Sequence, residues 1–132
     1  MGQQQLLLIV LGVIIVGIAV VVGINVFTAS SLEANKSALV ADLQTIASMA
    51  QQYYRKPTAM GGGGNTFTGW TVPSALQQTA NMSANVSATV AAQSISLVAT
   101  GTEDGSDGSK GTVTLYINPN SIDSVKFSSG YQ

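Results

Sequence analysis

Leu6–Ile24 reads LLLIVLGVIIVGIAVVVGI, nineteen residues without one polar side chain. About 20 apolar residues in helical form span the hydrocarbon core of a bilayer. The segment is apolar on every face, so it is not an amphipathic surface helix. The competing explanation is a helix buried in a soluble core, but a chain of 132 residues has too little other material to surround it. The flanks exclude two further readings. A secretory signal peptide has a basic n-region and a small-residue cleavage site after a shorter apolar core, whereas this segment follows Met1-Gly2-Gln3-Gln4-Gln5. An ordinary single-span anchor has Lys or Arg beside the span, and the nearest basic residue is Lys36. One explanation of that gap is a basic leader removed by processing.

Moving outward, the apolar run meets no turn. No Pro or Gly occurs between Gly23 and Pro57. Leu32, Leu39, Leu43, Ile46, Ala50 and Tyr53 fall in steps of seven, four, three, four and three, a single stripe on a helix of period 3.6. Glu33, Lys36, Asp42, Gln44 and Gln51 occupy the other side. Pro57 ends the pattern and disfavours helix at Lys56. The spacing therefore predicts one helix from about residue 4 to about residue 54, roughly 75 Å long. Its first half is apolar all round, and its amphipathic second half needs a domain to lie against. A coiled coil is poorly supported, since the stripe is short and lacks flanking charge pairs. Gly12, Gly17 and Gly23 interrupt the apolar half at spacings of five and six, which is not a G-x-x-x-G dimer motif. Two readings of them stand: ordinary membrane-helix glycines, or points of close packing and local flexibility.

Pro57 also marks a change of composition. Gly61–Gly64 predicts a flexible loop. It is not a phosphate cradle, because no G-K-[ST] follows and no strand precedes. Thr66–Val72 (TFTGWTV) is read as a short strand or as an ordered loop packing Phe67 and Trp70 on the helix, and Ser74–Ala80 as a short helix. Asn85–Gln93 is ambiguous. Beyond it, Ser94–Gly101, Gly111–Asn118 and Ser124–Ser129 show the period-two alternation of half-buried antiparallel strands. Thr102–Lys110 is a hairpin loop, and Asn118-Pro119-Asn120 turns into the last strand. The sheet's apolar face needs a cover and the helix stripe needs a floor. Joining them predicts a two-layer core of Leu39, Leu43, Ile46, Leu97, Val113, Leu115, Ile117 and Phe127. The fold class is α+β: one long N-terminal helix packed on a small antiparallel β-sheet. Residues 1–27 form the apolar segment and residues 28–132 a small domain, with loops over 57–93 and strands over about 94–129.

The remaining composition narrows the function. Only 8% of residues are charged, against about 25% in an ordinary soluble domain, and none precedes Glu33. A net charge of −1 offers no basic face for nucleic acid. Without Cys there is no disulfide or thiolate, and without His the commonest general base and metal ligand are missing. No catalytic constellation can be composed from what is left, so the chain is read as non-enzymatic, with no cofactor. Glu103, Asp104 and Asp107 place three carboxylates in a short loop. The loop lacks the EF-hand spacing and its downstream Glu, so these are solvated turn residues, with Ca²⁺ as the alternative.

An apolar N-terminal segment continued by an amphipathic half into one helix of about 50 residues, then a loop and a small antiparallel sheet, resembles a type IV pilin or pseudopilin. The resemblance covers the whole chain in architecture and the N-terminal third in sequence. It implies a precursor whose basic leader is cut after a glycine and whose new N-terminus is methylated. Met is accepted at that position, so Met1 is the expected mature residue. The alternative register, cut after Gly2, begins at Gln3. In the first register Gln5 stands where the family carries a glutamate. Its amide can hydrogen-bond a neighbour's amine but cannot neutralise it. The family's proline near the twenty-second position is replaced by Val22 and Gly23. The resemblance implies a structural subunit of a helical cell-surface filament, its role open between adhesion, twitching motility and others. It would partner copies of itself, the membrane before assembly and the pilus assembly machinery. Met1, Gln5, Leu6, Leu8, Ile9, Leu11, Val13, Ile14, Val16, Ile18, Val20 and Val22 would form the assembly surface. A pseudopilin of a secretion or DNA-uptake system, or a monomeric single-span protein displaying a small β domain, are the alternatives.

Overall fold

The computed structural model describes residues 2–105 and 107–131. Helix α1 runs Gly2–Arg55 without a break. The chain divides into two compact units, residues 1–31 and residues 32–132.

In the second unit, residues 32–55 of α1 pack on a four-stranded antiparallel sheet, an α+β arrangement. The strands are β1 (Ser87–Val90), β2 (Ile95–Asp104), β3 (Lys110–Ile117) and β4 (Ile122–Phe127), paired in sequence order. Sequential hairpins explain that order, since each connection is too short to cross a neighbouring strand. Ile95 pairs with Ile117, Leu97 with Leu115 and Ala99 with Val113. Period-two alternation sends all six to one face, and each is buried. Against them lie Leu39, Leu43, Ile46, Ala47 and Ala50 of α1. Three 3-10 turns, Thr58–Met60, Ser74–Leu76 and Ser129–Tyr131, complete the unit.

Several expectations change. Phe127 is not fully buried; it packs on the margin of the core. It sits on an edge strand near the chain end, with its ring edge-on to Tyr131 at 6.5 Å and the Lys36 ammonium 4.3 Å from its centroid. Thr66–Val72 is the ordered loop and not a strand. Phe67, Trp70 and Val72 from it are buried, and the Phe67 ring lies 4.9 Å from that of Tyr54. A fourth strand, β1, lies within the stretch assigned to loops. Its residues SATV alternate weakly, and pairing with β2 is what defines it. The hairpin loop after β2 is shorter than expected, because β2 continues to Asp104, which pairs with Lys110 across an irregular register.

The tetraglycine is folded under the end of α1, hydrogen-bonded where a flexible loop was expected. Gly63 N–H donates to Tyr53 O at 2.8 Å, Gly64 N–H to Lys56 O at 3.0 Å and Asn65 N–H to Tyr54 O at 2.8 Å. These are carbonyls that a helix end leaves without partners. A β-carbon on Gly63 would run into the Thr66 carbonyl, and Gly61 and Gly64 have φ of 81° and 60°. The turn needs glycine for close approach and for left-handed backbone.

Candidate assembly surface

In the first unit every described residue up to Ser30 is exposed, and Ser31 is half-buried. Among the predicted assembly residues, Leu6 is 63% exposed, Leu11 52% and Val16 60%. Leu8, Ile9, Val13, Ile14, Ile18, Val20 and Val22 are exposed likewise, as is Gln5. Met1 lies outside the described residues. The helix is long and apolar enough to cross a membrane, and none of its most apolar window is buried. Burying a Val, Leu or Ile side chain is worth about 1.5–3 kcal/mol each. This length of bare aliphatic helix is therefore strongly driven out of water, into lipid or against other protein.

Nothing lies within 4 Å of the β-carbon positions of Gly12, Gly17 and Gly23. Among the described residues no neighbour requires glycine there. The first polar side chain after Gln5 is Asn25, which is exposed on the helix and makes no side-chain hydrogen bond among the described residues. Thr28 satisfies itself, donating from Oγ1 to Ile24 O at 2.9 Å. Asn25 therefore keeps an unspent amide at the end of the aliphatic run.

The predicted core residues Leu39, Leu43, Ile46, Leu97, Val113, Leu115 and Ile117 come together in one cluster. The helix stripe skips from Leu32 to Leu39, and the missing step is Asn35, which is buried. Its Nδ2 donates to Asn81 O at 3.0 Å and to Thr102 Oγ1 at 3.4 Å. Its Oδ1 accepts from the Tyr131 hydroxyl at 2.7 Å. Asp42 Oδ2 accepts from Thr79 Oγ1 at 2.7 Å and Asn81 Nδ2 at 3.2 Å. Through these bonds α1 holds the long loop and the C-terminal turn. The signal in sequence was the seven-residue gap in the stripe, with an amide at its midpoint.

The carboxylates of Glu103, Asp104 and Asp107 are not gathered into a donor set. Asp104 faces Lys110 at 3.6 Å. Asp107 Oδ1 accepts from Ser109 Oγ at 2.6 Å and Ser109 N–H at 2.9 Å, and its Oδ2 accepts from Ser129 Oγ at 3.0 Å. The Ser109 hydroxyl first, then its N–H, then Ser129 hold this carboxyl below the usual aspartate range. Among the described residues no three His, Cys, Asp or Glu side chains are placed to share a metal ion. No family model, curated protein or solved structure matches the chain.

Proposed function

We propose that this chain is a structural subunit of a helical cell-surface filament of the type IV pilus kind, assembled through its apolar N-terminal helix. What carries the reading is α1 itself. One unbroken helix is aliphatic from Leu6 to Ile24 and bare through Phe27, then supplies the central element of a small folded unit. That division suits a subunit held first in the inner membrane and then in a filament. Lipid tails and a bundle of Leu, Ile and Val side chains are similar solvents, so exchange between them costs little, whereas exposure to water costs a great deal. Gln5 would place an amide against a neighbour's N-terminal amine inside the bundle. The folded units, with few charges and many Ser, Thr and Asn, would form a polar, nearly neutral outer shell. The partners are copies of the same chain, the membrane before assembly and an assembly machinery.

The test is negative-stain microscopy and mass spectrometry of material sheared from cells expressing the chain. Long fibres composed mainly of it are expected. If the chain stays in the membrane fraction and no fibres contain it, the filament reading fails, and a single-span display protein or a pseudopilin takes its place.

A further inference from the structure

The outer face of the sheet carries a feature separate from the bare apolar helix. A cleft of about 340 Å³ opens at the end of the sheet where the β1–β2 and β3–β4 connections meet. That volume lies at the small end of the range for ligand sites. Thr89, Ser96 and Tyr116 cross it in a row on neighbouring strands, Thr89 paired with Ser96 and Ser96 with Tyr116. Ser94 lines it from the first connection, Asn118 from the second and Asp123 from the start of β4. None of these six side chains makes a hydrogen bond to any described residue, whereas the buried Asn35 amide on α1 uses both its ends. Four hydroxyls, an amide and a carboxylate therefore converge unspent around one aromatic ring.

We propose that this cleft is a binding site for a neutral carbohydrate. The charges decide the class. Asp123 is the one ionisable group on the wall besides the Tyr116 phenol, and its carboxylate opposes anions such as phosphate or an acidic sugar. Lys126 holds its ammonium 5.2 Å from the Tyr116 centroid, so a cationic ligand would meet a like charge where it sought the ring. A neutral polyol suits both. Its hydroxyls donate to Asp123 in charge-assisted bonds, which are stronger than neutral ones. They also exchange bonds with the Ser, Thr and Asn groups, while the sugar's C–H face would pack on the tyrosine ring in place of the exposed Lys126 ammonium. All the lining residues belong to the unit of residues 32–132, so the site stands whether or not the chain forms filaments.

The test uses the full chain in micelles of a phosphocholine detergent, because sugar-headed detergents would compete. Amide NMR spectra are followed while glucose, galactose, mannose, N-acetylglucosamine and N-acetylgalactosamine are each added to about 10 mM, ten times a millimolar Kd. Saturable shifts confined to residues near Ser96, Tyr116, Asn118 and Asp123 are expected with at least one sugar. Asp123→Asn should weaken that binding about tenfold, and Tyr116→Ala should abolish it. Spectra elsewhere should be unchanged, which shows that both variants are folded. Absence of saturable shifts with every sugar overturns the proposal, as does binding that survives both substitutions or that is equally strong for glucose 6-phosphate.

Discussion

The Tyr131 hydroxyl donates a 2.7 Å hydrogen bond to Asn35 Oδ1, joining the penultimate residue to the middle of α1 across 96 positions of chain. Both residues are buried, so the bond is made away from water. Gly101 is what makes room for it: a β-carbon there would overlap both the Tyr131 hydroxyl oxygen and Asn35 Oδ1. Burial of the ring, and after it the Glu103 charge, push the Tyr131 phenol above its ordinary range.

Tyr131→Phe leaves Asn35 Oδ1 buried without its donor and should cost about 1–3 kcal/mol. Gly101→Ala should cost a similar amount by overpacking, about 1–3 kcal/mol. In the double variant the two costs should not add, because both act on the same contact. Urea unfolding followed by the fluorescence of buried Trp70 measures each. Additive losses would mean that the bond and the glycine act separately.

Leu115 sits at the centre of β3, fully buried, with Leu97 and Val125 opposite it on the two neighbouring strands. Leu115→Ala should cost about 2–5 kcal/mol, a large share of the stability of so small a domain. A loss under about 1 kcal/mol in the same unfolding experiment would show that the sheet collapses easily around the vacancy.

Removing the apolar segment should leave a folded protein. A chain beginning at Thr28 keeps the helix stripe and should melt cooperatively in water without detergent. A chain beginning at Pro57 exposes the inner face of the sheet and should not. Dispersed amide NMR signals from the Pro57 chain would mean that the helix is dispensable to the core.

Asp107 should titrate below 3.8, the ordinary aspartate value. Its folded pKa is lower than its unfolded one, so its stabilising effect is present above about pH 3.8 and is lost as pH falls through the folded pKa. The carboxylate is fully exposed, so the effect is local to the loop. Carbon-detected NMR titration should show Ser109→Ala moving the midpoint back towards 3.8. No movement would place the cause outside the Ser109 hydroxyl.

If the apolar helix forms a filament core, Val16→Asp should abolish sheared fibres, since an unpaired buried charge costs several kcal/mol per subunit. The variant must still reach the membrane fraction for the loss to report on assembly. Gln5→Glu should be tolerated, because a carboxylate bonds a neighbouring amine more strongly than an amide does. Normal fibre yield from Val16→Asp would remove the helix from the filament core.

Periodicity carries most of the fold. The aliphatic run to Ile24, the stripe from Leu39 to Ala50 and the alternation of β2 and β3 are each read from residues close in sequence. Each reflects a local rule about which side chains share a face. The nearly bare N-terminal helix follows from the same rule, because no other stretch of the chain is apolar enough to cover it. What only the tertiary structure decides is which weak or polar segments complete the core. Ser87–Val90 becomes a strand because β2 offers it an edge. Phe67, Trp70 and Met82 are buried from loops with no repeat to announce them. Asn35 takes a position in an apolar stripe because Tyr131, Asn81 and Thr102, distant in the chain, arrive with the partners it needs. The six polar groups of the outer cleft meet only once strands β1 to β4 are in register. A hydrogen bond or a ring contact between residues far apart in sequence leaves no periodic trace along the chain, whereas burial of one face of a helix or strand does.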